Sequence, residues 1–160
     1  MNLTDTLDIR GRLSIQVYNL EGELLETTIA NNSIVQTGRQ LVAERFVSSQ
    51  MSQIKPISQI AVGTGSQDVQ PIDRNLHAQV GDRKAIKVGN FEDMITWKEV
   101  DGIARCHLKI SADLEPTEYN ADLTEAGLFN EDGVMYNRVV FPAIRKTPAF
   151  RLTLLWQILF

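Results

Sequence analysis

The sequence has very few of the side chains that form reactive or cross-linked sites. It contains one cysteine, Cys106, and two histidines, His77 and His107, in 160 residues. A lone cysteine excludes an internal disulfide, and so few thiolate and imidazole ligands leave little material for a zinc site. Cys106 and His107 are adjacent in a predicted strand, where neighbouring side chains point to opposite faces, so they cannot act as a nucleophile–base pair. We therefore expect a non-enzymatic protein with no metal and no cofactor.

Positive charge and long apolar runs are scarce as well. The chain has 16 Lys and Arg residues against 20 Asp and Glu residues, a net charge of −4. A nucleic-acid-binding surface requires clustered cations, so we expect no nucleic-acid partner. No apolar run approaches the roughly 20 residues of a membrane helix, and residues 1–6 lack the basic and apolar regions of a signal peptide. We expect synthesis in a reducing cytoplasm and no membrane insertion.

Alternating apolar and polar residues predict a mainly β protein. The composition, 43% hydrophobic and 22% charged, is that of a globular domain. A first hairpin is predicted over residues 12–30, and the Asp101-Gly102 pair marks another, since Asp-Gly favours tight two-residue turns. The remaining strands are predicted at 57–62, 84–91, 95–100, 103–112, 125–130, 134–141 and from 151 to the C-terminal residue. Pro142 is expected to end the strand before it.

One helix is predicted, at about residues 38–47. Thr37 and Gln40 have the spacing of a capping box, and Leu41, Val42 and Phe46 place apolar side chains on one face. The predicted fold is an antiparallel β-sandwich with this helix packed over one edge or end. A partly open barrel remains the alternative. We divide the chain into an N-terminal arm and β-hairpin at 1–30 and a β-sandwich domain at 31–160.

Several residues with possible chemical roles are better explained by structure. Trp97 and Trp156 fall on apolar faces and are expected in the core. The Gly63-Thr64-Gly65 segment is expected to be a tight turn with positive φ, not a phosphate loop. The acidic residues of 115–125 match no EF-hand spacing, so a solvated connector is favoured over a calcium site.

Three polar predictions concern strand faces and pairs. His107 is expected on the solvated face of its strand, because it alternates with apolar neighbours. His77 is expected in a polar loop. Glu125 and Arg138 lie on the two arms of one predicted hairpin and are expected to form a structural ion pair, worth about 1 kcal/mol if exposed.

Leu155 and Leu159 are the candidate interface residues of the chain. In the last strand, Leu152, Leu154, Trp156, Ile158 and Phe160 form an apolar face, and these two leucines lie on the other, mixed face. Large apolar side chains on a face that would otherwise be solvated need a cover. We predict that the helix or a neighbouring subunit covers Leu155 and Leu159.

The order of several short motifs resembles that of a known group of proteins. The motifs are Asn32-Ser33-Ile34-Val35 followed by Gly38 and Leu41, Ile60-Ala61-Val62-Gly63-Thr64-Gly65, Leu123-Thr124-Glu125-Ala126-Gly127-Leu128-Phe129, Met135-Tyr136-Asn137-Arg138, Phe141 with Ile144 and Lys146, and Leu152-Thr153-Leu154-Leu155-Trp156-Gln157-Ile158. Together, over about residues 31–160, they resemble small β-rich structural proteins and domains of tailed bacteriophages that are associated with tail fibres or baseplates.

This resemblance implies a virion protein that docks other virion proteins and catalyses no reaction. It implies a homo-oligomer, or a subunit bound to other phage structural proteins, made in the host cytoplasm and located in the tail. The hairpin ahead of the shared region and the absence of a fibre shaft after Phe160 favour a fibre-base, adaptor or baseplate subunit. A neck, collar or head-decoration protein is the alternative, and a carbohydrate-binding module or a small enzyme is less well supported.

Overall fold

The computed structural model describes residues 9–47 and 54–160. The N-terminal arm at 1–8, and the polar stretch expected to end the helix at 48–53, lie outside the described residues. The elements in chain order are β1 (Arg10–Tyr18), β2 (Leu24–Asn31), β3 (Ser33–Ile34), α1 (Gln36–Val47), β4 (Ile57–Gly63), β5 (Lys84–Ala85), α2 (Phe91–Met94), β6 (Ile95–Val100), β7 (Ile103–Leu114), β8 (Asp122–Asn130), β9 (Met135–Arg145) and β10 (Arg151–Leu159).

The strands form two antiparallel sheets that pack face to face. The first sheet has the order β2-β1-β10-β7-β6, and the second has the order β3-β9-β8-β4-β5. The predicted antiparallel β-sandwich with one substantial helix is confirmed; the second helix, α2, is a single turn. The apolar core lies between the sheets, because inward side chains of both sheets have no other cover from water.

Strand β10 shows why the chain forms this sandwich. Its residues alternate between buried and half-buried along all nine positions. Leu152, Leu154, Trp156 and Ile158 are at most 2% exposed and pack into the core as predicted. Burying a side chain of this size contributes about 1.5–3 kcal/mol. The apolar face of β10 is therefore a major part of the core.

The N-terminal hairpin is part of the first sheet and does not stand apart from it. Strand β1 pairs with β10 over nine residues, from Arg10 opposite Leu159 to Tyr18 opposite Arg151. Strand β2 then pairs with β1 and forms one edge of that sheet. A chain cut at residue 30 would therefore leave β10 without its neighbour on one side.

The helix α1 lies where the sequence predicts it, but its capping interaction differs. Thr37 Oγ1 donates to the carbonyl oxygen of Met135 at 2.6 Å, and the Gln40 side chain donates to Glu44. Gly38 is buried against the backbone of β9. Leu41 and Val42 are half-buried and Phe46 is 80% exposed, so only the first half of the predicted apolar face is covered.

Two predicted strand boundaries were wrong. Only Lys84–Ala85 of the 84–91 segment is strand, because its backbone changes partners: the Ile86 amide donates to Ser58 of the second sheet and the Lys87 amide to Ser111 of the first. Pro142 does not end β9, which continues to Arg145. The β8–β9 register shifts beside Pro142, and such a bulge tolerates a residue without an amide hydrogen.

Candidate binding surfaces and buried polar clusters

The carboxylate of Glu125 is the centre of a fully buried polar cluster. Its Oε2 accepts hydrogen bonds from Nε of Arg138 at 2.7 Å and from the His77 amide at 3.1 Å. Its Oε1 accepts from the amides of Ala78 at 2.7 Å and Gly65 at 3.1 Å. The predicted ion pair is confirmed, but both side chains are 0% exposed. The carboxylate therefore attaches two loop segments to strand β8.

Arg138 extends this cluster to the 66–80 loop. Its Nη1 donates to the Gln67 carbonyl oxygen at 3.0 Å and to Asp73 Oδ2 at 3.2 Å. Burial raises the pKa of Asp73, but hydrogen bonds from the Gln70 amide and the His77 ring and the charge of Arg138 outweigh it, so the pKa lies below 3.8. His77 lies in this polar loop, as predicted. These contacts explain how a loop without helices or strands is held in place.

The Gly63-Thr64-Gly65 segment needs its glycines for space, and the predicted positive φ was wrong. Neither Gly63 nor Gly65 has φ in the left-handed region. A Cβ on Gly63 would lie 2.4 Å from the carbonyl oxygen of Ala78, and one on Gly65 would lie 2.6 Å from Oε1 of Glu125. The loop backbone therefore comes too close to the carboxylate for any side chain.

The acidic connector is folded around a buried lysine that the sequence analysis missed. Lys146 is 2% exposed, and its Nζ donates to the carbonyl oxygens of Pro116 and Thr147 and to Oδ1 of Asn120. Burial lowers the pKa of Lys146, although Glu118 and Glu115 oppose this. The connector itself is solvated as expected, with Glu115, Thr117, Asn120 and Asp122 exposed. A lysine can be buried here because each of the three N–H donors of its ammonium group has an acceptor.

Three of the four acidic side chains at 115–125 are paired with cations. Glu118 pairs with Lys84, Asp122 with Arg145, and Glu125 with Arg138. In the described ranges, 9–47 and 54–160, no group of three or more His, Cys, Asp or Glu residues is arranged to hold a metal ion.

His107 lies on the outer face of the first sheet, yet it is only 3% exposed. The prediction that its side chain is solvated was therefore wrong. Its row neighbours across the sheet are Leu159 and Thr96. His107 is one wall of a cavity of about 320 Å³ at the end of β10, which we call the basic pocket. The basic pocket is lined by Arg10, Gly11, Arg12, Asn31, Lys98, Val100, His107, Gln157 and Leu159.

Leu155 and Leu159 lie on the outer face of the first sheet, as predicted, and both are half-buried. Leu155 is directly opposite Ser14 and Ser111, and Ser14 is opposite Ile29 on β2. The helix is not their cover within the described residues, because α1 packs against β9 of the second sheet. Of the two predicted covers, a neighbouring subunit remains a prediction.

The most exposed strand is β2, at the edge of the first sheet. In the described residues, β2 pairs with β1 and no other strand pairs with its outer side. Leu24, Leu25 and Ile29 are 52%, 53% and 60% exposed, and Leu20 in the preceding turn is 65% exposed. An exposed apolar edge strand is a template for pairing with another chain.

Trp97 is 72% exposed, so its predicted place in the core was wrong. It is opposite Cys106 on β7, and the Cys106 carbonyl accepts from the amide of Phe160. This row lies beside an apolar groove of about 270 Å³ between α1 and the first sheet, whose lining includes Leu41, Val42, Ile86, Leu108, Tyr136 and Ile158. Burial raises the pKa of Tyr136 to about 12.

Comparison with known proteins gives no further assignment. No protein-family model, no curated protein and no solved structure matches the chain. No helix in the described part of the chain is long and apolar enough to cross a membrane.

Proposed function

We propose that the chain is a non-enzymatic structural subunit of a tailed-phage particle, a tail fibre-base, adaptor or baseplate subunit that docks other virion proteins. The resemblance of the ordered motifs over about residues 31–160 suggests this class. The β-sandwich architecture is compatible with it.

The observation that carries the docking role is the exposed edge strand β2. Three of its large aliphatic side chains are more than half exposed, and its outer backbone groups have no strand partner in the described residues. Soluble proteins usually protect such an edge with charges, proline or a covering element. Addition of a strand from another virion protein, or from a second copy, would satisfy its backbone and cover its side chains.

Immunogold electron microscopy of intact particles tests the class of protein. With an antibody to the purified chain, we expect gold at the end of the tail. Gold at the neck or over the head would move the subunit to the collar or decoration class. Free protein in the lysate with no label on particles would contradict the virion assignment.

The role of β2 is tested by Ile29→Lys, which places a charge on the edge strand. We expect the folded variant to be incorporated into particles less than the natural protein is. Val88→Lys is the matched control, because Val88 is 89% exposed outside the named strands. Equal incorporation of both variants would contradict docking through β2.

One observation favours a second function, a carbohydrate-binding module. The exposed indole of Trp97 lies in the same cross-strand row as Phe160, which is 36% exposed, with Cys106 between them. Exposed aromatic faces are where a sugar ring would stack. Saturable binding on a glycan array that is lost with Trp97→Ala would support this function. Absence of saturable binding to any glycan would exclude it for the glycans tested.

A further inference from the structure

The basic pocket collects positive charge on a chain whose net charge is negative. Arg10, Arg12 and Lys98 line the cavity. Lys109 lies in the same outer-face row as Arg12, with Gln157 between them, and Arg105 is directly opposite Lys98. These five residues are among only 16 Lys and Arg residues in a chain of net charge −4. Like charges this close repel one another, so the arrangement is favourable only with a counter-charge.

Two contacts of the lining cations are described. Asp101 Oδ2 lies 3.9 Å from Nη1 of Arg10, and both side chains are more than half exposed. Arg12 donates from Nε to Oε1 of Gln157 at 2.6 Å, which orients the guanidinium without neutralising it. The Arg12 guanidinium therefore keeps its positive charge at the wall of the pocket, and Lys98 makes no ion pair within the described residues.

A buried, unpartnered side chain lines the same cavity. His107 is 97% buried, and its Nδ1 has no hydrogen-bond partner among the described atoms. Nε of Arg105, on the next outward position of β7, is also buried without a partner. The His107 imidazole therefore lies in the wall of the basic pocket with hydrogen-bonding capacity that the described atoms do not use.

We propose that the basic pocket binds a small organic phosphate, with Arg12 and Lys98 contacting the phosphate group and His107 donating a hydrogen bond to it. A guanidinium matches two phosphate oxygens at once, and an ammonium adds a compact charge. The volume of about 320 Å³ exceeds what one phosphate occupies and is at the lower end of small-molecule sites. Leu159 and Val100 supply apolar wall for the organic part.

The test uses the two histidines of the chain as internal reporters. The full-length protein, with both imidazole rings assigned by NMR, is titrated with inorganic phosphate at constant ionic strength maintained with chloride. We expect saturable shifts of the His107 ring signals. The His77 signals should stay in place, because that ring lies against Gln67 and Asp73, two residues that do not line the pocket. Equal shifts of both rings, or no saturation at His107, would overturn the site.

Three variants of the same charge change test the contacts. Arg12→Gln and Lys98→Gln should each weaken phosphate binding at least about tenfold, because each removes a charge-assisted contact with the phosphate. Lys98 is exposed on an edge strand, so its variant should fold even where Arg12→Gln does not. The control is Arg74→Gln, an exposed loop residue outside the pocket. Unchanged affinity in folded Lys98→Gln, or equal loss in Arg74→Gln, would contradict the assignment.

A phosphate ester tests whether the organic part of the ligand contributes to binding in addition to the phosphate group. We expect glycerol 3-phosphate to bind more tightly than inorganic phosphate, because its carbon chain would lie against Leu159 and Val100. Equal or weaker binding of the ester would overturn the organic part of the proposal.

Discussion

Nε of Arg138 donates to Oε2 of Glu125 at 2.7 Å, and neither side chain has any exposed surface. The two residues come from adjacent strands, β8 and β9. From the 66–80 loop, the amides of His77 and Ala78 donate to Glu125. The Gln67 carbonyl and the Asp73 carboxylate accept from Arg138. The pair therefore connects the second sheet to the 66–80 loop by polar contacts, in addition to the apolar contact that buried Leu76 makes with the core.

The first prediction is that Arg138→Met strongly destabilises the fold. The substitution leaves the Glu125 and Asp73 carboxylates without their shared cation, and removing one partner of a buried pair costs about 3–5 kcal/mol. The free energy of unfolding, measured by urea denaturation, should fall by an amount in this range.

The matched control is Arg145→Met, which removes a cation from an exposed pair with Asp122. Its denaturation midpoint should change much less, because solvent already screens that pair. Similar midpoints for the two variants would mean that the Glu125–Arg138 pair contributes no more than a surface pair.

The ion pair and the strand pattern could be predicted because both depend on local sequence. Strand alternation and the Asp-Gly turn indicated β6, β7 and β10 closely, and Asp101 and Gly102 have the positive φ that this turn requires. The hairpin geometry placed Glu125 near Arg138. The burial of that pair depends on a loop that packs over it from elsewhere, which local pattern does not encode.

Trp97 and His107 show where periodicity fails. Trp97 follows the inward pattern, but it lies on the edge strand β6 and remains 72% exposed. His107 follows the outward pattern, but it is only 3% exposed, in the wall of the basic pocket. Alternation predicts which face a side chain points to, while exposure also depends on what lies across that face.

A second prediction concerns Gly38 in the helix. A Cβ at this position would lie 1.9 Å from the carbonyl oxygen of Tyr136, so Gly38→Ala must displace α1 from β9. Although alanine favours helices, we expect destabilisation of about 1–3 kcal/mol from overpacking. Thermal denaturation measures it, and Gln40→Ala on the exposed side of the same helix is the control. A more stable Gly38→Ala variant would show that the helix does not approach β9 this closely.

A third prediction concerns pH and His107. Its pKa lies below 6.5 because of burial and then the charges of Lys98, Lys109 and Arg12; Arg10 also lines the pocket. The unfolded chain therefore binds a proton at higher pH than the folded chain does. The stability contribution of the neutral ring is complete above pH 6.5 and is lost as pH falls towards the folded pKa.

We therefore expect His107→Gln to lose less stability than the natural protein as the pH is lowered below 6.5. Urea denaturation at several pH values measures the difference. Lys98→Gln should reduce the loss of stability at low pH in part, because one of the cations that repel protonated His107 is absent. Parallel stability curves for the natural protein and His107→Gln would contradict a lowered pKa.

A fourth prediction distinguishes the two tryptophans. Trp97 is 72% exposed and Trp156 is 0% exposed. Acrylamide should therefore quench the red-shifted tryptophan fluorescence of Trp97 and leave the blue-shifted fluorescence of Trp156. Trp97→Phe should remove the quenchable part and leave the unfolding midpoint nearly unchanged, since the ring makes little core contact. Strong quenching of the remaining emission would mean that Trp156 is not in a closed core.

The last prediction is that Leu155→Glu disrupts assembly and not folding. Leu155 lies on the outer face of β10 between Ser14 and Ser111, where a carboxylate of the free subunit reaches water. Covered by a second chain, the same carboxylate would be buried without a partner, which is strongly unfavourable. The sedimentation coefficient of the purified protein should therefore decrease, and so should the amount of it incorporated into particles. The circular dichroism spectrum should stay the same. Val88→Glu is the control for added charge, and Leu155→Asn keeps the test open if the glutamate variant fails to fold. A folded Leu155→Glu or Leu155→Asn variant that assembles normally would show that this face is not an interface.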